Sequence, residues 1–373
     1  MKIKAAVVSE KDADFEIKDD IELAEMGPDD VQVHMVASGI CHTDEAVRHG
    51  DSDYKYPVIL GHEGAGIVEK VGPEVTQVAV GDHVVMSYYA CGVCDNCLKG
   101  HPTQCENWAV NNMSGLRPGG TAHFTENGKT VADLFDQSSF TSTTVVRERN
   151  VVKVPKDLDL RILGPLGCGY VTGSGTVLNN LKPNQGDTLA VFGTGAVGLA
   201  AMMAARIAGC TKVIGVDIVD SRLKLAKELG ATDVINSKNV DAVAKIKELT
   251  GGKGVNFAVD TTGVTSVMES SIKALAQGGI TATVAVTPHH MDVDPWNDLS
   301  MKDQQVRGVL MGDSIPQIDI PRLIEFYRMG EFDFDKTEKF YKFSDINQAD
   351  ADSKSGKTIK PVLIIDEDYK PGE

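Results

Sequence analysis

Between residues 187 and 286 the chain alternates short apolar runs with helical stretches, and this rhythm restricts the fold more than any other feature. The apolar runs are Thr188–Gly193, Lys212–Asp217, Val255–Asp260 and Ile280–Val286; helices are expected at 196–208, 220–229, 239–249 and 264–276. Strands this apolar have no solvent side, so they belong in a parallel sheet covered on both faces by helices. The chain to about residue 165 reads differently. It is rich in glycine and in short β-like runs such as Val31–Ser38 and Asp82–Met86, which predicts a loop-rich β domain. The last sixty residues lose the rhythm and are expected to return to that first domain. A length of 373 residues also makes two domains the default.

Phe192-Gly193-Thr194-Gly195-Ala196-Val197-Gly198 ends the first apolar run and opens a helix. In that position the glycines permit a tight turn and let backbone N–H groups approach a pyrophosphate at the helix N-terminus. Asp217 follows nineteen residues after Gly198, at the end of the next strand. An acid there hydrogen-bonds ribose hydroxyls and repels the extra phosphate of NADP, which favours NAD. A tight turn without a ligand is the plainer alternative.

Cys91-x2-Cys94-x2-Cys97-x7-Cys105 places four of the seven cysteines within fifteen residues, among turn-forming Gly92, Asp95, Asn96 and Gly100. Four thiolates close a tetrahedral shell around Zn²⁺ and leave no position for substrate, so such a site is structural. Two disulfides are the alternative reading. The odd number of cysteines, with no signal peptide expected in Met1–Val8, favours reduced thiolates and a cytoplasmic protein. Cys210 reads as a small buried residue.

A second constellation is dispersed. Gly39-Ile40-Cys41-His42-Thr43-Asp44, Gly61-His62-Glu63-Gly64 and Gly167-Cys168-Gly169 together offer two thiolates and one imidazole. Singly, each is more often a packed residue. Jointly they make a three-ligand zinc site with a fourth position open to water or alcohol. The net charge of −16 is unfavourable for nucleic acid and anionic membranes, and no apolar run approaches the ~18 residues of a membrane span.

Gly61-His62-Glu63-x2-Gly66-x5-Gly72-x2-Val75 resembles the zinc signature of the medium-chain alcohol dehydrogenases, and the resemblance extends over essentially the whole chain. It implies an α/β architecture: a GroES-like β-rich catalytic domain over 1–165 and 313–373, and a Rossmann doubly wound parallel-sheet domain over 166–312. It implies two zinc ions per subunit. Cys41, His62 and Cys168 match the catalytic ligands, Glu63 a carboxylate able to coordinate transiently, Asp44 the acid orienting the histidine, and Thr43 the hydroxyl that accepts the alcohol proton. His42 and Lys360 match pyrophosphate contacts, Thr172, Val197 and Val286 nicotinamide contacts, and Arg222 a position near the adenosine ribose. Arg222 reads equally as a surface salt bridge.

The chain also departs from the family. A relay histidine of the liver-type enzymes is replaced by Ala46, leaving proton exit open between direct release and a nearby group such as His49, itself readable as an exposed loop residue. Pocket positions match Ser87, Val110, Phe140 and Val286; Ser87 replaces a bulky aromatic, which implies a wider cavity, and Phe140 reads equally as core. With Cys168-Gly169-Tyr170 and the long 106–140 segment, these features resemble the aryl-alcohol (benzyl alcohol) dehydrogenases. The expected function is therefore NAD-linked interconversion of a primary alcohol, aryl or medium-chain, and its aldehyde. The alternatives are a glutathione-dependent formaldehyde dehydrogenase, which needs a basic anion pocket and for which Arg117 is the one arginine in the 106–140 segment, and a non-catalytic dinucleotide-binding protein. A homodimer or homotetramer is expected, pairing through sheet edges near Thr281–Val286 and Val306–Met311.

Overall fold

The computed structural model describes residues 1–50 and 54–372. They form two compact units, one of residues 1–168, 315–321 and 335–373, the other of 169–314 and 322–334. The sequence reading assigns 322–334 to the first domain; the structure groups them with the second. Within that unit Phe334 is fully buried and packs against Tyr170 and Tyr327, with ring centroids 5.1 and 4.8 Å apart.

The first unit carries two sheets. One has five strands in the order Val58–Ile59, Lys2–Val8, Phe15–Leu23, Phe124–Glu126 and Lys129–Val131. The other runs Val151–Val154, His83–Met86, Gly64–Val71, Asp30–Gly39, Lys360–Ile364 and Glu338–Lys342, with Thr143–Arg147 also paired to Asp30–Gly39. The period-two pattern of strands explains the core here. Val31, Val33 and Met35 enter a cluster with Val68, Val84 and Met86, while Gln32 bonds Glu69 and His34 bonds Asp366. The C-terminal strand Lys360–Ile364 pairs antiparallel with Asp30–Gly39, which returns the end of the chain to the first unit.

The second unit holds a six-stranded parallel sheet in the order Asp233–Asn236, Lys212–Asp217, Thr188–Phe192, Val255–Asp260, Leu275–Thr283 and Gln305–Gly308. Chain order reverses between Thr188–Phe192 and Val255–Asp260, and in such sheets the crevice beyond the strand ends at that switch is where ligands bind. Helices Ala196–Ile207, Asp220–Glu228, Ala242–Leu249 and Thr265–Lys273 lie near their expected positions. The short strands Asp233–Asn236 and Gln305–Gly308 have no apolar run to signal them. Leu275–Thr283 pairs on both sides, so the expected edge at Thr281–Val286 is interior; the sheet ends at Gln305–Gly308. No helix among the described residues is long and apolar enough to cross a membrane.

Candidate active site and metal centres

Cys41, His62 and Cys168 come from three segments of the first unit, yet one donor atom of each lies within 4.8 Å of the others. Cys41 precedes the helix His42–Arg48, and Cys168 ends the short helical turn Gly164–Gly167. Gly61, at φ +93°, turns the chain just before His62. Asp44 ties the first two segments together. Its Oδ2 accepts from the Cys41 N–H at 2.9 Å, and its Oδ1 accepts from the Gly61 N–H at 2.9 Å and lies 3.1 Å from His62 Nδ1. Ser87 fastens the third segment, donating its hydroxyl to the Gly167 carbonyl at 2.6 Å.

With Nδ1 committed to Asp44, His62 has Nε2 to offer; this nitrogen is buried and has no hydrogen-bond partner. Leaving such a group unsatisfied costs about 1–3 kcal/mol. Two sulfurs and an imidazole are a donor set suited to Zn²⁺, and a bound ion would complete the nitrogen. The protonation pattern agrees. The hydrogen bond with Cys168 holds the Cys41 thiol well below its usual range, and the same contact pushes Cys168 well above. Burial pulls His62 down, but the charge and hydrogen bond of Asp44 more than reverse it. A cation binds the deprotonated forms of these groups, so its uptake here would release protons.

Glu63 is fully buried, and its two carboxylate oxygens lie 2.7 and 3.0 Å from Lys360 Nζ. Lys360 also donates to the Ile40 carbonyl at 3.1 Å, so all three ammonium donors are used. A buried carboxylate requires a cation, and Lys360 supplies it. Thr43 Oγ1 lies 4.0 Å from Cys41 Sγ, beside the cluster. Ala46 is buried, and His49 pairs through Nδ1 with Asp12 at 2.6 Å. The His42 side chain is 70% exposed, 3.7 Å from Glu45.

The donors of Cys91, Cys94, Cys97 and Cys105 also lie within 4.8 Å of one another. Cys91 Sγ is 3.9 Å from Cys97 Sγ and 3.5 Å from Cys105 Sγ. Four sulfurs ~2.3 Å from a central zinc stand about 3.8 Å apart, whereas a disulfide would bring two to ~2.05 Å. None of the seven cysteines, all among the described residues, is in a disulfide. Hydrogen bonds from backbone groups at Cys97 and Glu106 lower the Cys94 thiol to about 6, while burial raises Cys97 to about 12.

In the second unit, Thr188–Phe192 leads through Gly193, Thr194 and Gly195 into the helix Ala196–Ile207. A Cβ on Gly198 would stand 1.9 Å from the Gly193 carbonyl, so helix and turn meet only with glycine there. A Cβ on Gly195 would meet nothing within 4 Å. Its φ of −75° suits any residue, so the open space before it is a cradle that a side chain would fill. Asp217 ends its strand beside this turn, its Oδ2 accepting from Thr194 N–H at 2.7 Å. Arg222 is half-buried and its Nε has no hydrogen-bond partner. Thr172 is buried with its hydroxyl 4.0 Å from Met311 Sδ, Val197 is half-buried in the first turn of the helix, and Val286 is half-exposed.

The expected pocket residues fare unevenly. Phe140 is fully buried and meets Phe15 edge-on at 5.9 Å, which makes it core. Val110 is 66% exposed on the short helix Trp108–Met113. Ser87 is buried and engaged with Gly167. The residue missed is Phe135. It stacks on the His62 ring at 4.8 Å, and Trp108 meets it edge-on at 5.5 Å. Phe135 sits at φ +62° in an irregular loop, where no periodicity marks it. Arg117, the candidate anion residue, is also corrected: its guanidinium is buried between Asp30 and Asp136.

Comparison with known proteins agrees with this geometry. Residues 27–156 match the alcohol dehydrogenase GroES-like domain, and residues 196–328 match the zinc-binding dehydrogenase family. The geraniol dehydrogenase of Castellaniella defragrans is 40% identical over 341 residues, covering 90% of this chain and 91% of that protein. The crystal structure of benzyl alcohol dehydrogenase from Acinetobacter calcoaceticus is similar at 44% identity and a TM-score of 0.94, covering 98% and 99% of the two chains. An alcohol dehydrogenase zinc-binding domain protein from Burkholderia ambifaria is similar at 45% identity, the same TM-score and the same coverage.

Proposed function

The chain belongs to the zinc-binding alcohol dehydrogenases, and from that premise we propose that it oxidises planar, unsaturated primary alcohols, benzyl alcohol foremost, with NAD. Zinc and a nicotinamide dinucleotide are the cofactors of such an enzyme; the finer assignments follow from this chain's residues. The observation that carries the reading is the meeting of Cys41, His62 and Cys168, with His62 Nε2 buried and unpartnered. Cys41, His62 and Cys168 would hold a catalytic zinc, and Cys91, Cys94, Cys97 and Cys105 a structural one. When bound, zinc supplies Lewis acidity that eases loss of the alcohol proton, and the dinucleotide accepts the hydride.

The protein's part is to orient and to move a proton. Asp44 holds His62 in one ring orientation and tautomer. Thr43 offers the hydroxyl that takes the alcohol proton. The Glu63–Lys360 pair balances charge behind the cluster. Asp217 favours NAD by taking ribose hydroxyls and repelling a 2′-phosphate. Phe135, braced edge-on by Trp108, stacks on His62 and helps hold its ring in place. An oligomer built through the free edge Gln305–Gly308, in a reducing compartment such as the cytoplasm, completes the proposal.

Asp44→Asn is expected to weaken catalytic zinc binding or kcat/KM by roughly 10–100-fold, read by zinc content and initial rates. A panel of benzyl alcohol, geraniol, hexanol and ethanol, and of formaldehyde with glutathione, tests the substrate class. A phenyl group buries about 100 Å² more apolar surface than a methyl, worth ~2.5 kcal/mol or about 70-fold in kcat/KM over ethanol. Dominant glutathione-dependent formaldehyde oxidation would overturn the substrate class and leave the metal assignments standing.

A further inference from the structure

Asp44 clamps the Cys41 segment to the Gly61–His62 turn, and both of its oxygens are engaged there. Cys168 is tied to that turn by a second set of hydrogen bonds, centred on Gln137. The Gln137 side chain is fully buried. Its Oε1 accepts from the Gly64 N–H at 3.1 Å, two residues past His62, and its Nε2 donates to the Ser87 carbonyl at 3.3 Å. The Ser87 hydroxyl donates in turn to the Gly167 carbonyl at 2.6 Å, one residue before Cys168. These bonds form one chain from the His62 segment to the Cys168 segment. Asn150 Nδ2 braces its middle, donating to the Ser87 carbonyl at 3.2 Å and to the Phe135 carbonyl at 3.1 Å.

The position calls for a glutamine. Gly64 presents a donor and Ser87 an acceptor, so the side chain between them must accept at one tip atom and donate at the other. An ionised glutamate only accepts, and methionine of similar length does neither. The loop that carries Gln137 is strained: Phe135, Asp136 and Ser138 take φ of +62°, +50° and +46°. Such backbone persists where its surroundings over-determine it, and it gathers at functional sites. Close packing links the same segments. A Cβ on Gly164 would stand 2.3 Å from the Glu63 carbonyl oxygen, and one on Gly167 1.9 Å from that of Met86. Packing limits how near the segments come but resists their drifting apart only weakly; directional hydrogen bonds resist both.

We infer that Gln137, acting through Ser87, sets the spacing between His62 and Cys168 and thereby how tightly the catalytic metal is held. This rests on Cys41, His62 and Cys168 as the zinc ligands. Gln137 is a positioning residue: its side chain bonds the backbone beside two ligand segments. Loss of a partner that orients metal ligands typically weakens metal binding by about 10–100-fold.

The test reads metal affinity as well as stability. Zinc affinity of the zinc-loaded full chain is measured by competition with a chromogenic chelator, and the binding step absent from Cys168→Ala identifies the catalytic site. Gln137→Met removes both hydrogen bonds at similar length; it is expected to weaken that step by about 10–100-fold and leave the four-cysteine step unchanged. Gln137→Glu keeps the acceptor for Gly64 but sets an oxygen against the Ser87 carbonyl. It should shift the same step in the same direction, and it carries the test if the Met variant does not fold. Ser87→Ala should also weaken the step. The double variant of Gln137→Met with Ser87→Ala should bind no worse than the weaker single, because both changes cut one chain of bonds. Ile21→Ala opens a cavity in the core of the other sheet, and should lower the melting temperature with zinc affinity unchanged. Additive losses in the double variant, or an equal loss of zinc in Ile21→Ala, would mean general destabilisation and overturn the inference. If Cys168→Ala retains two zinc ions, the metal site and the inference both fall. If it loses one while Gln137→Met and Gln137→Glu bind zinc like the parent, the inference falls alone.

Discussion

Replacing Cys168 with alanine is expected to remove one zinc per chain, from two to one, and to lower kcat/KM by at least about a thousandfold, or ~4 kcal/mol. In the proposed catalytic site Cys168 would supply one of three protein donors, and the remaining thiolate and imidazole would not hold zinc in the same geometry. Cys168 stands outside the glycine turn, so NADH binding should survive, which separates loss of metal from loss of fold. The companion change Cys97→Ala should also lose one zinc, yet act first on melting temperature, because the ion proposed there would close a loop and meet no substrate. Elemental analysis, NADH titration and initial rates of both variants decide the matter. Full activity in Cys168→Ala with two zinc ions retained would remove the basis of the proposed catalytic site.

Arg117→Met is expected to destabilise the protein by about 3–5 kcal/mol, the usual cost of removing one partner from a buried ion pair. The Arg117 guanidinium donates to both oxygens of Asp30 at 2.9 and 2.7 Å and through Nε to Asp136 Oδ1 at 3.0 Å. Asp133, within the same buried group, pairs with His123. Burial pushes Asp30 up, but the hydrogen bonds and charge of Arg117 bring it below its usual value. Asp136 remains raised to about 6 and Asp133 to about 7, both by burial. The sign with pH follows. Arginine stabilises these carboxylates only when they are ionised, so the deficit of the variant is largest above pH 7. It narrows as pH falls through 7 and 6 and Asp133 and Asp136 take up protons. Urea unfolding of both proteins between pH 5 and 8 measures this; a deficit independent of pH would show that Arg117 acts through packing alone.

Arg117 also shows where reading a sequence stops. As one arginine in a variable segment it suits an anion pocket; only its three-dimensional neighbours, Asp30 far away in sequence and Asp136 nearby, reveal a structural role. Lys360 is the same lesson at the active site. Its charge is evident in the sequence, but its direction, inward to Glu63, depends on a C-terminal strand pairing with Asp30–Gly39. Phe135 has no signal in the sequence, since its place on His62 depends on an irregular loop with three non-glycine residues, Phe135, Asp136 and Ser138, at positive φ.

What the sequence determined by itself is whatever short-range chemistry encodes. Cysteine spacing within fifteen residues marks a four-sulfur site, glycines between strand and helix mark a dinucleotide turn, and apolar runs of the right length mark the interior strands of a parallel sheet. These depend on neighbours along the chain, where the geometry of spacing is fixed by bond lengths. What only the tertiary structure decided is which charges are paired and which surfaces are free. Asp44 joins Cys41 to His62, Lys360 neutralises Glu63, Arg117 is consumed by carboxylates, and Thr194 donates to Asp217. Each is a contact between groups whose separation in space is set by packing of the whole unit, and burial makes every unpaired charge costly enough that such partners must exist. The residue types could be read from the chain; their partners depended on the fold that brought them together.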